Sequence, residues 1–334
     1  MSTTSVASSV QTGGQAALAL ATSPHLHGWW TTSRLMWAVV LCLLPSLGAG
    51  ALFFGWWSLT LPLAAVAGAT GAEAAVNRWR GLPFTLGDGS AALTGLLLGL
   101  IVPPALPLWM ACLGGAVSIG LGKAVFGGLG MNIFNPALVG RAFLQAAFPV
   151  SMTTWTANRL ASDAVSTATP LALVKFREPG LAVLDVAPPL RDLFLGTTAG
   201  SLGETSALAV LVGGLVLLVL KVANWRAPAA MALGAVVFGG GLWLVDPARW
   251  PHPLFHLLSG GFLFGALFMA TDLVTSPITG RGLWIFGLGA GFLTVLIRLF
   301  GGLPEGVMYS ILIMNATVPL INRYTRPRVF GATR

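Results

Sequence analysis

Residues 163–171 read Asp-Ala-Val-Ser-Thr-Ala-Thr-Pro-Leu, a run that sets one carboxylate, Asp163, and three hydroxyls, Ser166, Thr167 and Thr169, among small side chains. Such a run can serve as an acceptor strip for a phosphate-linked group, because small neighbours let the backbone approach a phosphate closely. Attachment also requires a hydroxyl that a modifying enzyme can reach, and Thr169 is expected to meet both demands as an exposed acceptor. The same residue types build turns and helix caps, and alone the run reads as those. Asn135, Arg141, Thr271 and Asp272 lie at or within apolar segments, where an ionisable group is expensive and therefore a candidate for function. They would line a ligand site or an ion route, or else satisfy backbone groups freed where helices break. Glu73 carries the same two readings, with a place near a helix end as the plainer one. His252 and His256 have the i,i+4 spacing of a helical metal site, but no carboxylate stands at useful spacing, so an interfacial pair is expected and no metal. Cys42 and Cys112 lie far apart inside apolar segments, which excludes a disulfide framework or a CxxC site and leaves two buried packing residues.

The elements that position these residues are membrane helices. In 334 residues, 55% are hydrophobic and 8% charged, and the mean hydropathy is +0.83. That leaves too little polar surface to cover a water-soluble globule. The formal charge of +8 does not point to nucleic acid, because the Lys and Arg residues sit singly between apolar runs. Stretches near the ~20 residues that a bilayer requires run over 35–54, 57–76, 85–102, 106–121 and 133–150. After a polar interval at 151–204, five more follow over 205–220, 228–245, 254–270, 282–297 and 306–321. Pro103-Pro104 ends the third and Asn135-Pro136 opens the fifth, so broken helices are expected there. Residues 1–34 read as a cytoplasmic N-terminal tail, with no basic residue ahead of Arg34 to mark a signal peptide. Residues 323–334 read as a C-terminal tail.

Counted with a cytoplasmic N-terminus, the inner face receives Arg34, Arg78, Arg80, Lys123, Lys221, Arg226, Arg281 and the basic residues from Arg323 onward. Fewer fall outside, so both termini are expected in the cytoplasm and residues 151–204 in the periplasm, as a compact loop domain. Lys123-Ala-Val-Phe-Gly-Gly followed by Asn135-Pro-Ala-Leu-Val-Gly-Arg141 is echoed by Arg298-Leu-Phe-Gly-Gly followed by Asn315 and Arg323. Two copies of an odd number of spans must enter the membrane in opposite directions. The expected fold is an all-α polytopic membrane protein with about ten transmembrane helices in two inverted five-helix repeats, 35–150 and 205–322, and a periplasmic loop domain between them.

The chain resembles the NqrB/RnfD family, which holds the RnfD component of Rnf complexes and the NqrB component of the sodium-translocating NADH:quinone reductase. The residues that carry the resemblance are Ser23-Pro-His25, Gly122-Lys123 with Phe126-Gly-Gly, Asn135-Pro-Ala-Leu-Val-Gly-Arg-Ala-Phe143, Phe268-Met-Ala-Thr-Asp272, Arg298 and Pro304-Glu-Gly306. In that family an Asp followed by a Ser/Thr-small-Ala-Thr run signals flavinylation, and its last Thr receives FMN through a phosphoester. The resemblance therefore implies FMN on Thr169, with Asp163, Ser166 and Thr167 shaping the attachment loop. The family more often has Gly where this chain has Thr167. Length favours the Rnf member. The resemblance further implies electron transfer between ferredoxin and NAD coupled to Na+ or H+ translocation in the bacterial inner membrane. Implied partners are the other Rnf subunits, RnfA, RnfB, RnfC, RnfE and RnfG, and a flavin transferase. Asn135, Arg141, Thr271 and Asp272 are then candidates for a second, noncovalent flavin such as riboflavin, or for an ion path. A urea-channel-like solute channel is the competing reading, suggested by Asn135-Pro136-Ala137 and the repeat; the second half offers only Asn315-Ala-Thr.

Overall fold

The computed structural model describes residues 30–156, 158, 168–178 and 180–327. By its internal contacts the chain divides into 1–31 and a body over 32–334, which holds the helices. Its described residues form helices and no strand. Helices α1 (Thr32–Phe54), α2 (Thr60–Trp79), α3 (Ser90–Ile101), α4 (Leu108–Ile119) and α5 (Pro136–Ala147) make the first half. Four short helices follow: α6 (Pro149–Thr153), α7 (Pro170–Lys175), α8 (Val183–Val186) and α9 (Leu190–Leu195). The second half comprises α10 (Ala207–Val219), α11 (Arg226–Val245), α12 (Pro253–Leu258), α13 (Phe262–Phe264), α14 (Gly280–Phe300) and α15 (Val307–Thr325).

Four helical stretches are long and apolar enough to cross a membrane: α1, α2 with the turn before it, α11 and α14. Exposed Leu41, Leu52, Trp56, Trp57 and Leu63 would be a liability in water and are at home in lipid. The chain is a membrane protein. Several expected spans are shorter than the apolar stretches suggested. The 85–102 stretch contains a 3₁₀ turn at Leu86–Asp88, because Gly89 at φ +79° redirects the backbone before α3 starts. The 254–270 stretch breaks at Ser259, which is extended, and at Gly260, at φ +59°. Asn135 caps α5 with Pro136 at its first position, as the Asn-Pro pair predicts. Both α4 and α13 run on into a π-helical turn, Gly120–Ala124 and Gly265–Met269 respectively.

At the centre stands α3, every residue of which except Ala92 is buried. Close packing relies on glycine. A Cβ on Gly115 of α4 would lie 2.1 Å from the Ala65 carbonyl of α2, and one on Gly291 of α14 would lie 2.0 Å from the Met231 carbonyl of α11. The segment around α7–α9 has a small core of its own, in which Leu171, Val174, Val183 and Leu193 pack on Phe255 of α12. Lys175 ties it to the bundle, its ammonium donating to the carbonyls of Arg298 at 2.9 Å and Leu303 at 2.8 Å and also to Gly301. A cation at this place satisfies the orphan carbonyls at the C-terminus of α14. Burial pushes the ammonium below its usual value.

Two sequence expectations need correction. Cys42 is buried, but Cys112 is exposed, because its backbone carbonyl and not its side chain faces α2 at the Gly68 contact. Glu73 lies inside α2 and is buried against Lys123 rather than at a helix end. The glycine contacts give the first prediction. Gly291→Val should lower stability by about 1–3 kcal/mol or more through overpacking, read as a fall in Tm in detergent. Gly241→Ala, with open space around it, should stay within about 1 kcal/mol of the wild type.

Candidate functional site

Thr169 is the N-cap of α7. Its Oγ1 accepts a hydrogen bond from the Ala172 amide at 3.3 Å, and Pro170 fills the first helical position. The side chain is 6% exposed. This corrects the expectation of an exposed acceptor, and the capping geometry is the reason: the hydroxyl turns inward to meet the amide. The cap uses the oxygen only as an acceptor, so the hydroxyl hydrogen is not committed by it. Asp163, Ser166 and Thr167 lie outside the described residues.

Beside Thr169 the fold gathers charges that are distant in sequence. Arg141 of α5 pairs with Glu204 at 3.4 Å and with Glu305, which precedes α15. Ser201 donates to the second oxygen of Glu204. Burial pushes the Glu204 carboxyl above the usual carboxylate range, while Arg141 pulls it the other way. Thr169, Ser201, Glu204 and Glu305 share the lining of one small cavity. A larger cavity of about 280 Å³ adjoins it, lined by Arg141, Gln145, Trp155, Phe176, Glu305 and Tyr309, with Ala168 next to the acceptor on its wall. Such a lining offers flat aromatic surface and a few convergent polar groups, the usual composition of a ligand pocket.

A second polar cluster surrounds the opposite end of α3. Lys123 donates to Glu73 Oε1 at 2.7 Å and to Ser90 Oγ at 2.6 Å. Thr85 donates to the same Glu73 oxygen at 2.8 Å, and Asn77 donates to Thr85. Asp88 accepts from the backbone and side chain of Ser90. Asn135, Thr271 and Asp272 line a narrow cavity together with Lys123 and Asn132. Within it the Asn135 amide donates to Asn315 Oδ1 at 3.3 Å, Thr271 donates to Leu267, and Asp272 accepts from Thr275.

The structure thus divides the four intramembrane candidates. Asn135, Thr271 and Asp272 lie together, whereas Arg141, two turns along α5, joins the Thr169 end. Asn135-Pro136-Ala137 serves as a helix cap, its side chain accepting from the amides of Ala137 and Leu138. His252 caps α12 through Nδ1, while His256 is buried. Sequence reasoning missed Glu204, Lys123 with Glu73, and Asn315 as parts of sites. Their signal was a lone polar residue in an apolar context, which names a candidate but not its partner.

Breaking one partner of a buried pair leaves an uncompensated charge. Lys123→Met should therefore cost about 3–5 kcal/mol in unfolding experiments, and adding Glu73→Gln should return much of it. A double variant whose loss equals the sum of the two single losses would show that the two residues are uncoupled.

Known proteins resemble this chain over almost its whole length. The family described as NQR2, RnfD, RnfE matches residues 19–331. The D subunit of the proton-translocating ferredoxin:NAD(+) oxidoreductase complex of Clostridium ljungdahlii is 44% identical, over 94% of this chain and 96% of the relative. The D subunit of the Na(+)-translocating ferredoxin:NAD(+) oxidoreductase complex of Acetobacterium woodii is 41% identical, over 95% of this chain and 96% of the relative. The D subunit of an ion-translocating oxidoreductase complex of Stutzerimonas stutzeri is 41% identical, over 90% and 92%. With a match that runs from before α1 to beyond α15, the chain belongs to the NQR2, RnfD, RnfE family.

Proposed function

We propose that this chain is the D subunit of a bacterial Rnf-type complex coupling electron transfer between ferredoxin and NAD to Na+ or H+ movement, and that it carries FMN esterified to Thr169. The carrying observation is the position of Thr169: its oxygen caps α7 beside a cavity of about 280 Å³ with aromatic and cationic walls. That volume approaches the ~300 Å³ at which ligand pockets begin. The names of the similar subunits support the complex. Relatives named for protons and for sodium are almost equally similar to this chain, so both cations stand.

The residues fit the group. Trp155 and Tyr309 offer faces to a flat ring, and Arg141 and Gln145 offer donors to its polar edge. Esterification replaces the Thr169 hydrogen and leaves the oxygen free to keep accepting from Ala172, so cap and linkage are compatible. Bound FMN would supply the redox chemistry; the protein supplies position, burial and nearby charge. Arg141 holds a fixed positive charge against that wall, kept in place by Glu204 and Glu305. A second, noncovalent flavin such as riboflavin, or a cation on its route, belongs in this reading to the cavity of Lys123, Asn135, Thr271 and Asp272, where amide, hydroxyl and carboxylate groups converge.

The same proposal sets the helices as ten spans in two inverted repeats. Support comes from the glycine-mediated pairs α2 with α4 and α11 with α14, the second and fourth spans of each half. It sets both termini in the cytoplasm and residues 151–204 in the periplasm of the inner membrane, with RnfA, RnfB, RnfC, RnfE and RnfG as partners and a flavin transferase for maturation.

Thr169→Asn tests the linkage, because Asn is an equal or better N-cap but has no hydroxyl. The variant should keep the wild-type Tm and lose both in-gel flavin fluorescence and the FMN mass increment on its peptide. Retained fluorescence would move the linkage to another hydroxyl, with Thr167 next. Leu184→Cys, at a residue 79% exposed on α8, should react with an impermeant maleimide from the periplasmic side of whole cells. Reaction only after the cytoplasmic face is opened would reverse the topology.

A further inference from the structure

Apart from both clusters, a further cavity of about 240 Å³ opens between α7, the turn before α12 and the end of α14. Its wall carries Lys175, Arg177, Arg249, Arg298 and His256, and among the described residues no carboxylate lines it. Three of these cations are already bonded to carbonyls. Arg177 donates to Val174, Leu181 and Arg249, Lys175 to the end of α14, and Arg298 to His256 at 2.5 Å and Ser259 at 2.9 Å. Carbonyls satisfy donors but do not neutralise charge. Glu204 and Glu305, the acidic groups that act on Arg298, are bound to Arg141 and line other cavities.

Two orphaned donors sharpen the point. Arg298 is 3% exposed and its Nε has no partner among the described residues; His256 is 1% exposed, and among the same residues neither ring nitrogen has one. Buried polar groups left in this way call for a partner that supplies acceptors, and surplus positive charge calls for an anion. At the mouth, the exposed Arg249 lies over the Trp250 ring at 5.0 Å, and Trp250 packs on Phe300 at 5.6 Å. Phe300 ends α14 and Val245 ends α11, two parallel helices long and apolar enough to cross a membrane. The cavity therefore sits at the membrane–water boundary, where aromatic rings gather. Leu244, Val245 and Phe292 present exposed apolar surface on these helices.

We infer that this cavity binds the phosphate of an anionic phospholipid, held by Arg249, Arg298 and His256, with the acyl chains lying along α11 and α14. Thr169 does not line the cavity, so the site is separate from the flavin linkage and does not depend on it.

The test uses the full chain, purified in detergent, delipidated and titrated with phosphatidylglycerol, phosphatidylcholine or inorganic phosphate while Tm is followed. Phosphatidylglycerol should raise Tm in a saturable way and phosphatidylcholine should not. Arg249→Gln should bind phosphatidylglycerol about tenfold more weakly, the loss of one charge-assisted contact. Arg226→Gln, which removes a similar Arg over Trp225 at the start of α11, should bind as the wild type does. Saturation by inorganic phosphate alone, with no preference for phosphatidylglycerol over phosphatidylcholine, would keep the phosphate site and overturn the lipid source. Equal responses to both lipids without a response to phosphate, or unchanged affinity in Arg249→Gln, would overturn the proposal.

Discussion

The architecture turns on Arg141, a guanidinium buried in the bundle between two carboxylates from different parts of the chain, Glu204 and Glu305. An isolated charge in this setting would be too costly to keep. The segment leading into α10, the start of α15 and the middle of α5 are thus obliged to meet at one point. Thr169 lies beside that point and shares a cavity wall with both carboxylates. The same group that closes the bundle also sets the electrostatic surroundings of the proposed redox site.

Around the other end of α3, Lys123 does related work with different parts. It joins α2, the start of α3 and the π turn after α4 through Glu73 and Ser90. The π turn has a mechanical reading: an extra residue in the turn changes which side chains face inward, and such turns recur at functional positions in helices. One follows α4 and the other follows α13, and each borders the cavity lined by Lys123 and Phe268.

Much of this was legible in the sequence, for identifiable reasons. Apolar stretches gave the helices, since burying backbone in lipid leaves few alternatives. Asn135-Pro136 gave the start of α5 because its capping chemistry is local. Helix lengths were overstated where Gly89 and Gly260 turn the chain, because hydropathy does not register a change in φ. The exposure of Thr169 was misjudged, since the residue that can accept a phosphoester is also the one that can cap a helix. Arg141 was grouped with Asn135 by its place in one motif. Its partners lie 63 and 164 residues away, and no local pattern specifies such pairings.

The burial of α3 has an electrical consequence. A 12-residue helix is about 18 Å long, well short of the ~30 Å hydrocarbon layer. Ser90 at one end borders the Lys123 cavity, and at the other end the Leu100 carbonyl accepts from Gly203, beside Glu204 and its cavity. Where polar recesses enter from both faces, the membrane voltage falls mainly over the dry septum that remains. A charge displaced alongside α3 would then cross most of the potential, about 2.3 kcal/mol per 100 mV, over a little more than half the usual path.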